Sequence, residues 1–212
     1  MRLAVAVLLV VVLGCASHAV PPPARGPAPS PSRRGSPSAA ASSALDDLLR
    51  GDLAADHAFA WAAGRPLAWS DFQGSPPSEG SEGAKTSYTL YSGWNCRGDV
   101  FEVRVIAGFR PRESWVKAIV LNDSAQRRSI LRHEQTHFDL TEVHARRMWR
   151  VLRDLSRPCA KTDAELNALV QRLAQDEKAE QRRYDDETNH GLLADKQAAW
   201  SRDVARRLES SP

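Results

Sequence analysis

No glycine or proline interrupts the chain from Ser124 to Ser156, and Pro158 closes the stretch. Within it Leu131, Phe138, Ala145, Met148, Leu152 and Leu155 recur at heptad-like spacing. That spacing gathers apolar side chains on one face, so the run predicts a single long helix clamped by packing. Asn122, Asp123 and Ser124 each offer a side-chain oxygen to cap its first turn.

Inside this helix lies His133-Glu134-Gln135-Thr136-His137. Residues four apart share a helix face about one turn from each other, so the two imidazoles can grip one Zn²⁺ while Glu134 projects beside it. Two neutral nitrogens hold such an ion, and a neighbouring carboxylate takes a proton from water as it attacks a carbonyl. The pattern requires a helix, a third ligand and a water-filled cleft. His144 does not serve as that ligand. On a continuous helix it lies about 10 Å beyond His137, too far for an ion held at about 2.1 Å. A metzincin arrangement fails as well, because Leu140 and Val143 stand where its glycine and third histidine belong.

A second helix is predicted from a cap at Thr162 or Asp163 to about Asn189. Its inward stripe is Leu166, Leu169, Val170 and Leu173, and at the same spacing it becomes Glu177, Glu180, Tyr184, Glu187 and Gly191. An apolar face that turns acidic partway along leaves the core for a polar cleft. With the bend between the helices centred near Cys159, antiparallel pairing sets residue 135 opposite residue 183. The third ligand is then expected within the segment that starts beside the motif, and Glu180, Glu187 and His190 are the candidates. A third, highly charged helix follows over Leu192 to Leu208.

Ahead of the long helix, Ala44 to Ala63 is helical in pattern, and Leu67 to Phe72 alternates as a half-buried strand does. Lys85 to Trp94 and Val100 to Ile106 read as two strands joined through Arg97-Gly98-Asp99, an antiparallel hairpin. Trp115 to Leu121 fits helix and strand equally.

The N-terminal residues have the character of a targeting segment: Arg2, then an apolar run from Leu3 to Leu13 too short to span a bilayer. Val12-Leu13-Gly14-Cys15-Ala16 resembles the lipobox of bacterial lipoproteins, with Leu13 where a smaller residue is usual. The resemblance implies a signal peptide over residues 1–14, a lipid on Cys15, a membrane anchor and residence in the cell envelope. Residues 15–43 turn to Pro, Ala, Ser and Gly, a composition that cannot bury enough apolar surface to fold, and read as a tether. Residues 44–212 then have the size of one domain. With Cys15 lipidated, Cys96 and Cys159 are left as an isolated pair, expected to form one disulfide in an oxidising compartment. The net charge of +3 is unclustered, which argues against a nucleic-acid partner.

Three blocks resemble the bacterial family catalogued as domain of unknown function 922, regarded as secreted zinc-dependent proteases. They are Leu67-x-Trp69-x-Asp71-Phe72-x-Gly74, then His133-Glu134-Gln135-x-His137-Phe138-Asp139 through Ala145-Arg146, then Tyr184-Asp185-x-Glu187-Thr188-x-His190-Gly191 with Gln197 and Trp200. Thr136 and His144 depart from the usual pattern. The resemblance implies a zincin-like metallohydrolase with the last block at the metal site, and the expected fold is α+β, a small antiparallel sheet packed on two or three helices. It favours His133, His137 and His190 as Zn²⁺ ligands, ahead of Glu187 and Glu180. Glu134 is the expected general base, and Tyr184 a donor to the developing oxyanion. Asp139, Asp185 and Thr188 are placed as partners that orient the ligand histidines. The expected activity is peptide-bond hydrolysis on a peptide or protein substrate. The alternatives are a zinc amidase acting on cell-wall peptides and a non-enzymatic zinc-binding envelope lipoprotein.

Overall fold

The computed structural model describes residues 38–210 of the chain. The signal segment, Cys15 and most of the tether expected before residue 43 lie outside the described residues. The chain is mixed α+β, with helices α1 (Ser38–Ala55), α2 (Ala118–Asn122), α3 (Ser124–Arg153), α4 (Asp163–Thr188) and α5 (Ala194–Glu209). Its strands are β1 (Phe59–Ala60), β2 (Ala84–Lys85), β3 (Tyr88–Arg97), β4 (Val100–Phe109) and β5 (Trp115–Val116). One antiparallel sheet has the order β1-β4-β3, and β2 pairs with β5 in a second, two-stranded one. Among the described residues no helix is long and apolar enough to cross a membrane.

The hairpin forms in the expected place, with Arg97 paired to Val100 across Gly98-Asp99 and the ladder running back to Tyr88 opposite Phe109. Gly98 has φ +59°, a backbone that glycine adopts without penalty. Strand β4 runs past Ile106 to Phe109 because it stays paired to Tyr88 at the foot of the ladder, whereas β3 begins at Tyr88, Lys85 pairing instead with Trp115 of β5, and continues past Trp94 to Arg97 at the turn. Phe109, fully buried there, is the hub of the aromatic core, with ring centroids 5.1 Å from Phe59, 5.3 Å from Phe72 and 5.6 Å from Phe138.

Helix α3 is central and buries two faces. Phe138, Ala145, Met148 and Leu152 face the sheet side with Phe109, Ala107 and Val103, whereas Leu140 and Val143 pack with Tyr184, Trp200 and Val204 of α4 and α5. Asp123 caps its start, accepting from the Ala125 and Gln126 amides at 2.8 and 3.0 Å. In α4, Thr162 and Glu165 form a reciprocal capping box.

Several expectations are corrected. The alternating stretch Leu67–Phe72 is not a strand: the Asp71 carboxylate accepts from the Ala68 amide at 2.8 Å and closes a 3₁₀ turn over Trp69–Asp71. Leu67 and Phe72 are buried all the same. The first helix begins at Ser38, within the stretch read as tether, and stops at Ala55 rather than Ala63, because His57 turns the chain at φ +52° and Phe59–Ala60 then pairs with β4. Trp115–Leu121 divides between β5 and α2.

Cys96 and Cys159 are joined across a separation of 63 residues. The bond ties the tip of β3 to the turn between α3 and α4, and so pins the bend that sets their register. Chain entropy assigns a loop of this length about 4 kcal/mol. The double substitution C96A/C159A is therefore expected to lower stability by about 2–4 kcal/mol in urea unfolding, and a loss under about 1 kcal/mol would mean that the bridge restrains little in the unfolded chain.

Candidate metal centre

Packing places the motif. Phe138 pins α3 to the sheet, and the turn before it presents His133 and His137 to α4. Their Nε2 atoms lie 3.1 Å apart. Asp185 Oδ1 completes a triangle at 3.1 Å from His133 Nε2 and 2.9 Å from His137 Nε2. These three are the group that the described residues offer a metal ion.

The outer nitrogens define the proton positions. His133 Nδ1 is 3.1 Å from Gln197 Oε1, and His137 Nδ1 is 2.7 Å from Gln181 Oε1. An amide oxygen only accepts, so both Nδ1 atoms carry hydrogen and both Nε2 lone pairs face Asp185. Three acceptors then converge, an arrangement that is repulsive unless a cation sits among them. Their separations fit an ion, since the edge of a tetrahedron with bonds of about 2.0–2.1 Å is about 3.3–3.4 Å. Without a metal, a proton fills the role. Burial works against a charged His137, but the hydrogen bond and charge of Asp185, with Glu134 and Gln181 adding to them, outweigh it and raise His137 to about 9. Burial likewise opposes the Asp185 anion, and the two histidines overcome it, holding the carboxyl well below its usual range.

Glu134 is 4 % exposed. Its backbone carbonyl accepts from Thr86 Oγ1 at 3.3 Å, whereas its carboxylate takes part in none of the hydrogen bonds among the described residues. The acidic stripe of α4, by contrast, is engaged at Glu177, Glu180 and Glu187. Glu177 accepts from Gln181 Nε2 at 2.7 Å. Glu180 accepts from His144 at 2.6 Å and from Arg207 at 2.8 and 3.0 Å. Glu187 accepts from Trp200 Nε1 at 2.8 Å. Neither Glu180 nor Glu187 joins the group that could hold a metal ion, and His144 is likewise committed elsewhere.

His190 does not join the triangle either. The chain leaves α4 through Asn189, His190 and Gly191, all at positive φ, with the His190 amide bonded to the Asp185 carbonyl at 2.9 Å. This left-handed exit turns the His190 side chain outward, 54 % exposed, with Nδ1 3.7 Å from Asp185 Oδ1. Gly191 has a steric reason to be there: a Cβ on it would lie 3.0 Å from His133 Cβ and Cγ. The backbone thus closes over one histidine and carries the next side chain to the rim.

Tyr184, expected to face an oxyanion, is fully buried. Its ring stacks on His133 at 4.7 Å and meets His137 edge-on at 4.9 Å. Its hydroxyl donates to Gln197 Oε1 at 2.7 Å, so it forms a wall and holds the backing amide. Asp139 accepts from Trp61 and Gln135, each at 2.8 Å, on the sheet side of α3. Thr188 closes the end of α4, donating to the Tyr184 carbonyl at 2.7 Å and accepting from the Gly191 amide at 3.1 Å. Gln135 Oε1 accepts from the Leu67 amide at 2.6 Å, which ties the first sequence block to the motif helix.

Asp185 thus stands in the triangle itself, where the sequence reading makes it an orienting group. The signal for it lay in the helix register, since a pairing that sets 135 opposite 183 also sets His133 opposite Asp185. The same register brings Gln181 to His137.

Residues 77–191 match the model of a family described as "Bacterial protein of unknown function (DUF922)". No curated protein and no solved structure matches the chain.

The ion pair sets a pH signature for the metal-free protein. His137 is raised from 6.5 to about 9 on folding, so its stabilisation is complete below pH 6.5 and lost as pH climbs through about 9. Asp185, lowered from 3.8, contributes above that value and loses its contribution as pH falls. For chelator-treated protein the urea midpoint is expected to decline between pH 6.5 and 9, and Asp185→Asn should flatten that decline. A wild-type midpoint that stays level across the window would show that the pair carries no stability.

Proposed function

This chain belongs to the bacterial DUF922 family, and we propose that it is a zinc-dependent peptidase of the cell envelope with a zincin-like site. One observation carries the reading: the Nε2 atoms of two mid-helix histidines and an Asp185 oxygen converge within 3.1 Å, beside a buried Glu134 whose carboxylate is uncommitted. Two histidines and a carboxylate suit Zn²⁺, and sets of three protein ligands characterise catalytic sites, whereas structural zinc is held by four. Held by His133, His137 and Asp185, such an ion supplies Lewis acidity, polarising a carbonyl and making water acidic near neutral pH.

The chain's own groups do the remaining work. Gln181 and Gln197 accept the Nδ1 protons and keep both Nε2 lone pairs free. Glu134 takes the proton released by the attacking water and delivers it to the leaving amine nitrogen. Tyr184 contributes rigidity and leaves oxyanion stabilisation to other donors. The apolar N-terminal run and Cys15 support a lipoprotein anchored at the membrane and acting on envelope peptides or proteins.

Glu134→Gln is expected to keep one equivalent of zinc while peptide hydrolysis falls by about 10²–10⁴-fold. Full activity in that variant would sink the mechanism. Asp185→Ala should lose tight zinc binding and His190→Ala should keep it, as read by competition with a chromophoric chelator. The opposite pair of results would return His190 to the ligand set.

A further inference from the structure

Glu177 is a buried carboxylate that the proposed chemistry leaves unused. It is 2 % exposed, on α4 two turns before Asp185. Its oxygen takes the Gln181 Nε2 hydrogen bond at 2.7 Å. The Tyr88 phenol of β3 and the charges of His144 and His137 favour its anion, while burial outweighs them and pushes its carboxyl up. A carboxylate sunk among helices without a contacting cation is a poor way to stabilise a fold, because apolar residues of the same volume do as well or better. Its position next to Gln181 suggests another purpose.

The Gln181 amide can stand in two orientations. In the observed one its oxygen accepts from His137 Nδ1 at 2.7 Å. Its nitrogen donates to Glu177 at 2.7 Å and to the His137 carbonyl at 2.9 Å, with Thr141 Oγ1 at 3.2 Å. The Thr141 hydroxyl gives its own proton to the His137 carbonyl at 3.0 Å, so toward Gln181 it too accepts. Turning the amide over would set its oxygen against three acceptors and its NH₂ against Nδ1. His137 would then carry its proton on Nε2 and lose the lone pair aimed at Asp185.

We propose that Glu177 is a positioning residue of the metal site, locking the Gln181 amide so that His137 keeps its proton on Nδ1 and its Nε2 free for the ion. The proposal rests on the metal-site reading above. It works through an amide, so Glu177 touches neither ion nor substrate.

The test measures zinc affinity of the purified full-length protein by chelator competition, with urea unfolding of the metal-free form alongside. E177M removes the acceptor at similar volume and is expected to lower zinc affinity by about 10–100-fold while leaving metal-free stability equal or higher. E177Q can still present an oxygen to Gln181 and should restore most of the affinity. In a Q181M background the E177M change should cost nothing further, since the two act as one unit. Unchanged affinity in E177M, or an equal loss with and without Gln181, would overturn the proposal while wild-type binding stands. A wild-type protein that takes up no zinc would overturn the metal-site reading itself. If E177M fails to fold, E177A against E177Q decides: affinity lost in E177A and kept in E177Q supports the locking role, and equal affinity in the two overturns it.

Discussion

The antiparallel seam between α3 and α4 is the constraint on which the rest of the structure depends. Along it the chain takes His133, His137, Asp185, Gln181 and Glu177 largely out of water, groups whose removal from water is costly unless each finds a partner. The register resolves this one turn at a time: Asp185 meets His133, Gln181 meets His137, and Glu177 lies beside Thr141 through the Gln181 amide. A slip of one position would separate every pair at once. The disulfide at the bend and the capping box at the start of α4 act at the two places where such a slip would begin.

Helix α3 tolerates this polar seam because its other face is apolar. Phe138, Met148 and Leu152 sit on the hairpin side, and each contributes about 2–3 kcal/mol of burial. Consecutive residues therefore serve opposite ends, Phe138 anchoring the helix while His137 points into the seam. Helix α5 closes the arrangement from the third side. Gln197 reaches His133 and Tyr184, and Trp200 packs on the Tyr184 ring at 5.3 Å. The candidate metal site thus draws on a helix that lies beyond residue 191, where the family match ends.

Much of this could be read from the sequence. The uninterrupted run, the caps at Asp123 and Thr162 and the Gly98 hairpin are local signals, and local physics decides them, whereas the Cys96–Cys159 pair followed from counting cysteines. The alternation at Leu67–Phe72 misled because a side-chain bond from Asp71 closes a turn more cheaply than a strand without partners can form. The choice between Asp185 and His190 depended on where α4 ends and with what handedness. Three successive positive φ angles at Asn189–Gly191 rotate His190 out of the seam, and residue type alone does not announce such an exit for Asn and His. Gln181 and Gln197 were unreadable as backing groups for another reason: a glutamine on a helix is compatible with almost any role until its neighbours are known.

The choice of amides over carboxylates behind the two histidines follows from charge. Asp185 already brings one negative charge to the triangle and Glu134 a second beside it. Carboxylates at 181 and 197 would add two more in a desolvated seam, and each would strengthen the basicity of a histidine already surrounded by anions. An amide supplies the same hydrogen-bond acceptor without the charge, so a bound cation keeps more of its electrophilic character. The two sides are not equivalent, however. The Gln197 amide is held by a tyrosine and by serine and threonine hydroxyls, all neutral. Gln181 is held by a carboxylate. An anion therefore stands behind the amide that backs His137, and only neutral groups stand behind the one that backs His133.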